Sequence, residues 1–75
     1  IAKVRSIASK VEGVSSIDKC RVRKSGGQLF VDIHVMVDAQ MTVRIAHQIG
    51  HDVKDRLVAS HLGIVDVLVH IEPDQ

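Results

Sequence analysis

The sequence is poor in aromatic residues, cysteine and proline. Its 75 residues include one Phe, neither Trp nor Tyr, one Cys and one Pro. Phe30 alone makes no stacking platform for single-stranded bases, and the basic residues form no long stripe, so we expect no nucleic-acid partner. The single Cys20 excludes an intrachain disulfide and fits a reducing compartment. No apolar run approaches the ~20 residues that span a bilayer, and no signal-peptide pattern opens the chain.

The remaining composition is that of a small globular domain. Hydrophobic residues make up 45% of the chain, charged residues 25%, and the formal net charge is +1. Residues 1–75 can build one domain, whose small core favours association with a partner chain. The chain begins at Ile1 rather than Met, which suggests a piece of a longer protein. No nucleophile elbow, catalytic triad or phosphate loop is present, so we expect no enzymatic activity.

Two stretches have helical periodicity. In the first, apolar and small residues recur until Gly13 ends the pattern, at Ile1, Val4, Ala8 and Val11. The second runs from about Thr42, a plausible N-cap, to about Ser60 and ends before Gly63. Its apolar stripe consists of Ala46, Ile49, Val53 and Leu57.

Three stretches alternate with the period of a strand. The segment SSIDKCRVRK leads into the turn SGG, and QLFVDIHVMVD follows as the second strand of a hairpin. In IVDVLVHIE, alternation predicts a core face of Val65, Val67, Val69 and Ile71. The order αββαβ predicts an α+β sandwich in which two helices cover one face of a three-stranded sheet. The other face is left for solvent or a partner.

That open face carries side chains that bind metal ions. If the second and third strands are neighbours, His34 and His70 lie close enough to share one ion, with Glu72 on the same face. Imidazole nitrogen and carboxylate oxygen suit borderline divalent cations such as zinc. The alternative is that an exposed sheet face is simply polar.

The other histidines and the cysteine have simpler explanations. His47 and His51 are spaced i, i+4, which can chelate a metal. The apolar stripe, however, places His47 at its flank and His51 on the far, solvated side, pointing away from the sheet. We therefore expect His51 to be a surface residue, His61 to be structural at the helix end, and Cys20 to be a small buried hydrophobe rather than a ligand.

Four segments together resemble a known family. GVSSIDKCRVRKSGG, LFVDIHVMVD, RIAHQIGHDVKDRL and DVLVHIEP span nearly the whole chain. They resemble the cytoplasmic C-terminal domain of cation diffusion facilitator transporters, and VDIHVMVD also looks like the magnetosome-associated branch. The resemblance implies a metallochaperone-like (ferredoxin-like) αββαβ fold, a homodimer, bound divalent cations, and an upstream transmembrane domain in the same chain.

The resemblance also implies a set of ligands. The histidines of DIHV, AHQ and VHIEP match His34, His47 and His70. Glu72 stands where zinc-transporting members commonly have Asp, and Asp18 where some have His. Oxygen at Asp18 shifts the preference towards harder ions, so zinc, iron and manganese all stay open.

The expected function is therefore metal sensing. As a single cytoplasmic regulatory domain over 1–75, the chain is expected to bind cations, stabilise a closed homodimer and regulate efflux by a membrane transporter in the inner or magnetosome membrane. One alternative is a free-standing soluble metallochaperone, which would begin with its own Met and need docking charges. Another is a small-molecule-sensing ferredoxin-like module, which would show a Gly-rich ligand loop.

Overall fold

The computed structural model describes residues 1–74 and has the predicted element order. The elements are α1 (Ala2–Ser9), β1 (Val14–Ser25), β2 (Gln28–Val37), α2 (Val43–Val58) and β3 (Ile64–Pro73). The strands form one sheet in the order β1-β2-β3, in which β1 pairs antiparallel and β3 parallel to the central β2. The α+β class and the neighbouring positions of the second and third strands are thus confirmed.

Local sequence explains where these elements begin and turn. Thr42 caps α2, because its side-chain oxygen accepts a hydrogen bond from the backbone N–H of Ile45 at 3.2 Å. The loop between β1 and β2 is Gly26-Gly27, and both residues have positive φ angles, 56° and 85°. Two positive φ angles are what a two-residue type I′ hairpin turn requires, and glycine adopts them without strain.

The core lies between the two helices and one face of the sheet. β2 contributes alternate residues to it, and α2 contributes its apolar stripe, as the periodicities predict. The buried apolar residues are Val4, Ala8, Val11, Val31, Ile33, Val35, Val37, Ile49, Val53, Leu57, Ile64 and Val67. No buried side-chain polar atom among the described residues lacks a hydrogen-bond partner.

The prediction for the first part of β3 is wrong. Val65 was expected on the core face, but it is 46% exposed, whereas Ile64 is buried. The pairing of β2 with β3 shifts register between Leu29 and Phe30, which pair with Ile64 and Asp66. One extra residue in β3 at this irregularity moves Val65 out of the alternation.

Candidate metal site on the open sheet face

The two strand histidines meet directly across β2 and β3. His34 and His70 are partners in the parallel register. Their rings are stacked, with centroids 4.3 Å apart and planes inclined by 8°. Parallel pairing puts both side chains on the same face, because strand neighbours in register point the same way. The structure therefore brings together the two histidines that alternation placed on the open face.

Each imidazole is held by a carboxylate from the other strand. Nδ1 of His34 lies 2.6 Å from Oε2 of Glu72, and Nε2 of His70 lies 3.2 Å from Oδ1 of Asp32. An ionised carboxylate can only accept, so each of these nitrogens carries the proton and donates it. In the neutral ring the second nitrogen then keeps a free lone pair. These nitrogens are Nε2 of His34 and Nδ1 of His70.

This arrangement has the chemistry of a cation site. A carboxylate that accepts from one imidazole nitrogen sets the tautomer and raises the basicity of the other nitrogen, as around protein-bound metals. The four side chains remain partly accessible, from 27% for His34 to 42% for His70. A hollow of about 490 Å³ opens over Asp32 and both rings, and the basic residues Lys19 and Arg21 line its rim. Imidazole nitrogen and carboxylate oxygen are ligand types that a borderline divalent cation accepts, but the four side chains form two separate pairs and do not converge on one point.

Asp32 belongs to this cluster, although the sequence interpretation did not select it. It lies two residues before His34 on β2, so it shares the same face. In the parallel register Asp32 pairs with Leu68, which brings it diagonally next to His70. The alternation along β2 already placed Asp32 on the same face as His34. It identifies Asp32 as a partner of His70 only once β2 and β3 are known to be parallel and in this register.

The other two predicted ligands lie elsewhere in the chain. Asp18 is exposed in an irregular part of β1, between Ile17 and Cys20, where the register with β2 shifts. Its backbone carbonyl accepts a 2.7 Å hydrogen bond from Arg5. His47 lies on α2, on the opposite side of the sheet from His34. Within residues 1–74, no three His, Cys, Asp or Glu side chains converge closely enough to hold a metal ion.

His51 does not point away from the sheet as expected. It is exposed, but its Nε2 lies 3.0 Å from Nε2 of His47. Both rings border a hollow whose floor is formed by β3 side chains, including Val69 and Ile71. The expectation failed because the buried stripe of α2 includes Gly50. The face of α2 that contacts β3 therefore extends beyond the apolar stripe to Gly50, and this brings the adjacent His51 close to the sheet.

Cys20 and His61 were expected to be structural, and these roles stay predictions. Cys20 is half-buried rather than buried: it packs against the core and also lines the hollow over His34 and His70. Burial raises the pKa of its thiol, an effect that the positive charge of Arg5 opposes. His61 lies in the turn between α2 and β3 with a φ angle of 64°. This left-handed conformation is rare for residues other than glycine, although histidine is among those that adopt it.

The whole described chain matches one family of transporter domains. Residues 1–74 match the family described as "Cation efflux protein, cytoplasmic domain". The chain belongs to this family. It is a family of transporter domains and not of enzymes. No helix in residues 1–74 combines the length and apolar character needed to cross a membrane.

Individual relatives agree with this assignment. Metal tolerance protein C1 of Arabidopsis thaliana is 33% identical over 93% of this chain, and Metal tolerance protein 2 of Oryza sativa subsp. japonica is 32% identical over 91%. The chain spans 15% and 18% of the lengths of these two relatives. A solved MamM C-terminal domain with a cysteine-to-serine substitution shares 26% identity and superposes with a TM-score of 0.94, over 99% of this chain and 91% of its own. MamM belongs to the magnetosome-associated branch of the cation diffusion facilitators. The match therefore confirms both the predicted fold and the predicted resemblance to this branch.

Proposed function

We propose that this domain senses a cytosolic divalent cation and regulates the efflux transporter of which it forms part. The observation that carries the proposal is the pair of stacked imidazoles, His34 and His70, with a carboxylate on each. His34, His70 and Glu72 are the proposed principal ligands. Asp32 supplies a second negative charge and orients His70. Zinc, iron(II) and manganese(II) are the candidate ions, because mixed nitrogen and oxygen ligands accept all three.

The proposed regulation acts through a homodimer. A ligand shifts a conformational equilibrium only by its difference in affinity for the two states. Ligands contributed by both protomers therefore favour a closed pairing, whereas ligands from one protomer leave the pairing unchanged. Asp18 and His47 do not approach the sheet-face site within one chain. We propose that Asp18 joins the sheet-face ion from the partner protomer, so that the ion is shared between the two chains, and that His47 is a ligand at a separate place on α2. The closed pairing would then favour the transport-competent state of the membrane domain.

Thermal unfolding with zinc tests the sheet-face site. A cation that binds the folded chain at 100 times its Kd stabilises it by ~2.7 kcal/mol, which for a domain of this size raises Tm by about 10 to 20 °C. The double variant His34→Ala/His70→Ala should lose most of this rise. Its apo Tm should change little, because both side chains are partly exposed on the open face.

A matched control separates the site from histidine in general. His61→Asn removes an exposed imidazole in the turn before β3 and keeps a residue that tolerates its left-handed backbone. This variant should keep the full zinc-induced rise. Small-angle scattering should show a smaller radius of gyration with zinc for the unmodified chain and no change for the double variant. A double variant that keeps the full rise in Tm would show that the sheet face is not the site.

A further inference from the structure

A second pair of histidines lies one turn apart on α2. Nε2 of His47 and Nε2 of His51 are 3.0 Å apart, and the rings meet edge to face with centroids 4.6 Å apart. Both residues are exposed. Without a cation, one Nε2–H donates to the lone pair of the other nitrogen, and a cation that replaces this proton can accept the lone pairs of both Nε2 atoms.

The spacing of these nitrogens is close to what one shared ion needs. Imidazole nitrogen lies ~2.1 Å from a bound first-row cation, so two nitrogens on one ion are ~3.0 Å apart at a right angle and ~3.4 Å apart at a tetrahedral angle. The hydrogen-bonded pair, at 3.0 Å, lies near both values, so a small movement of the two exposed rings lets one ion take the place of the shared proton.

The surroundings leave room for the rest of a coordination shell. The histidines border a hollow of about 160 Å³, and Gly50, which has no side chain, lies in its wall. Water occupies ~30 Å³ per molecule, so several waters fit in the remaining coordination positions. Lys54 also lines the hollow, but its ammonium lies 3.3 Å from the carboxylate of Asp66, which offsets its charge.

We propose that His47 and His51 form a second cation site that takes one borderline divalent ion with an affinity for imidazole, such as nickel(II), copper(II) or zinc. His47 was predicted as a ligand from the family resemblance, but its pairing with His51 within one chain follows from the geometry. The site is separate from the sheet-face pair. Its floor is formed by Val67, Val69 and Ile71, whose side chains alternate with His70 and therefore lie on the other face of β3.

Nickel(II) calorimetry in a background without the sheet-face histidines tests the proposal. The His34→Ala/His70→Ala chain should bind one nickel ion per protomer. Adding His51→Ala should lower the affinity at least tenfold, because the second imidazole of a chelate acts at a high effective concentration. His47→Ala should cause the same loss, and adding His61→Asn instead should cause none. Circular dichroism should show the same helix content in all variants, since the substituted side chains are at least partly exposed.

The outcomes distinguish this site from the proposed sensor. Loss of zinc-induced stabilisation in the double variant, with nickel binding kept, supports two separate sites. An unchanged nickel affinity after removing His51, or no nickel binding in the double variant, overturns the helical site. Either of these two nickel results leaves the proposed zinc site of His34 and His70 unaffected.

Discussion

Each stacked imidazole on the sheet face depends on a single residue of the neighbouring strand. His34 donates to Glu72 of β3, and His70 donates to Asp32 of β2. The two pairs are reciprocal across the strands, so each strand contributes one histidine and one carboxylate. This symmetry suggests that Asp32 matters to the site as much as the residues that the sequence pattern selected.

Replacing Asp32 by Asn should weaken zinc binding without unfolding the chain. The amide oxygen can still accept from His70, but the negative charge that attracts a cation to this end of the pair is lost. Such outer partners of metal-bound histidines typically account for ~10- to 100-fold in affinity, and we expect about tenfold from calorimetry. Asp55→Asn removes an exposed carboxylate on α2 and is the matched control. An equal, small effect of both substitutions would remove Asp32 from the site.

Cys20 makes stability depend on pH. Burial raises the pKa of its thiol in the folded state, so the folded chain holds this proton more tightly than the unfolded chain does. The resulting stabilisation is fully present below the thiol's unfolded pKa and is lost as pH rises through the folded pKa. The difference in unfolding free energy between the unmodified chain and Cys20→Ala should therefore shrink as pH rises above ~8.5. Urea unfolding at pH 7.5 and 9.5 measures it, and a constant difference would contradict it.

At the scale of elements, the junction between α1 and β1 is packed against α2. Gly13 in this junction has a φ angle of 95°, and a Cβ placed there would overlap the Cδ1 atom of Ile49. Ile49 is 5% exposed and cannot easily move aside. Gly27 in the hairpin turn has a φ angle of 85° and no atom within 4 Å of a Cβ placed on it. The two glycines therefore have similar φ angles and differ in how closely they are packed.

Alanine at these two positions should have different effects. Both variants force an L-residue into a left-handed backbone, which costs ~1–2 kcal/mol. Gly13→Ala also overpacks the contact with α2, which typically costs a further ~1–3 kcal/mol. Denaturant unfolding should show a loss of ~3 kcal/mol for Gly13→Ala and ~1 kcal/mol for Gly27→Ala. Equal losses would show that α2 yields to the new methyl group.

At the scale of the whole molecule, the open sheet face is the surface on which a second copy is expected. A domain of this length buries a small share of its surface and gains stability from association. Leu68 is 60% exposed on this face, and Phe30 and Met36 are half-buried there. We therefore expect a second copy to cover this face, because association removes these apolar side chains from water.

Light scattering at micromolar concentrations should give twice the mass of one chain. Leu68→Lys should weaken this dimer, because it puts a charge into the expected interface. Val43→Lys is the matched control, since Val43 is 85% exposed at the start of α2. A strict monomer at high concentration would contradict the homodimer. A dimer weakened by Val43→Lys and not by Leu68→Lys would place the partner on α2 instead.

The amino-acid sequence by itself determined the architecture and the central pair of the site. Alternation along β2 and β3 has a period of two, so it specified which face carries His34 and His70 whatever the details of packing. The N-cap at Thr42 and the two glycines of the hairpin encode their conformations locally. Local signals of this kind need no knowledge of distant residues, which explains why the element order and the open face were predicted correctly.

Tertiary structure decided the features that depend on how two elements meet. The register between β2 and β3 brought Asp32 to His70, and an irregularity in the same pairing turned Val65 outward while Ile64 became buried. The packing of α2 on β3 brought His51 to the hollow beside His47. Neither register nor helix rotation is encoded by a short stretch of sequence, because both follow from the fit of two surfaces distant along the chain.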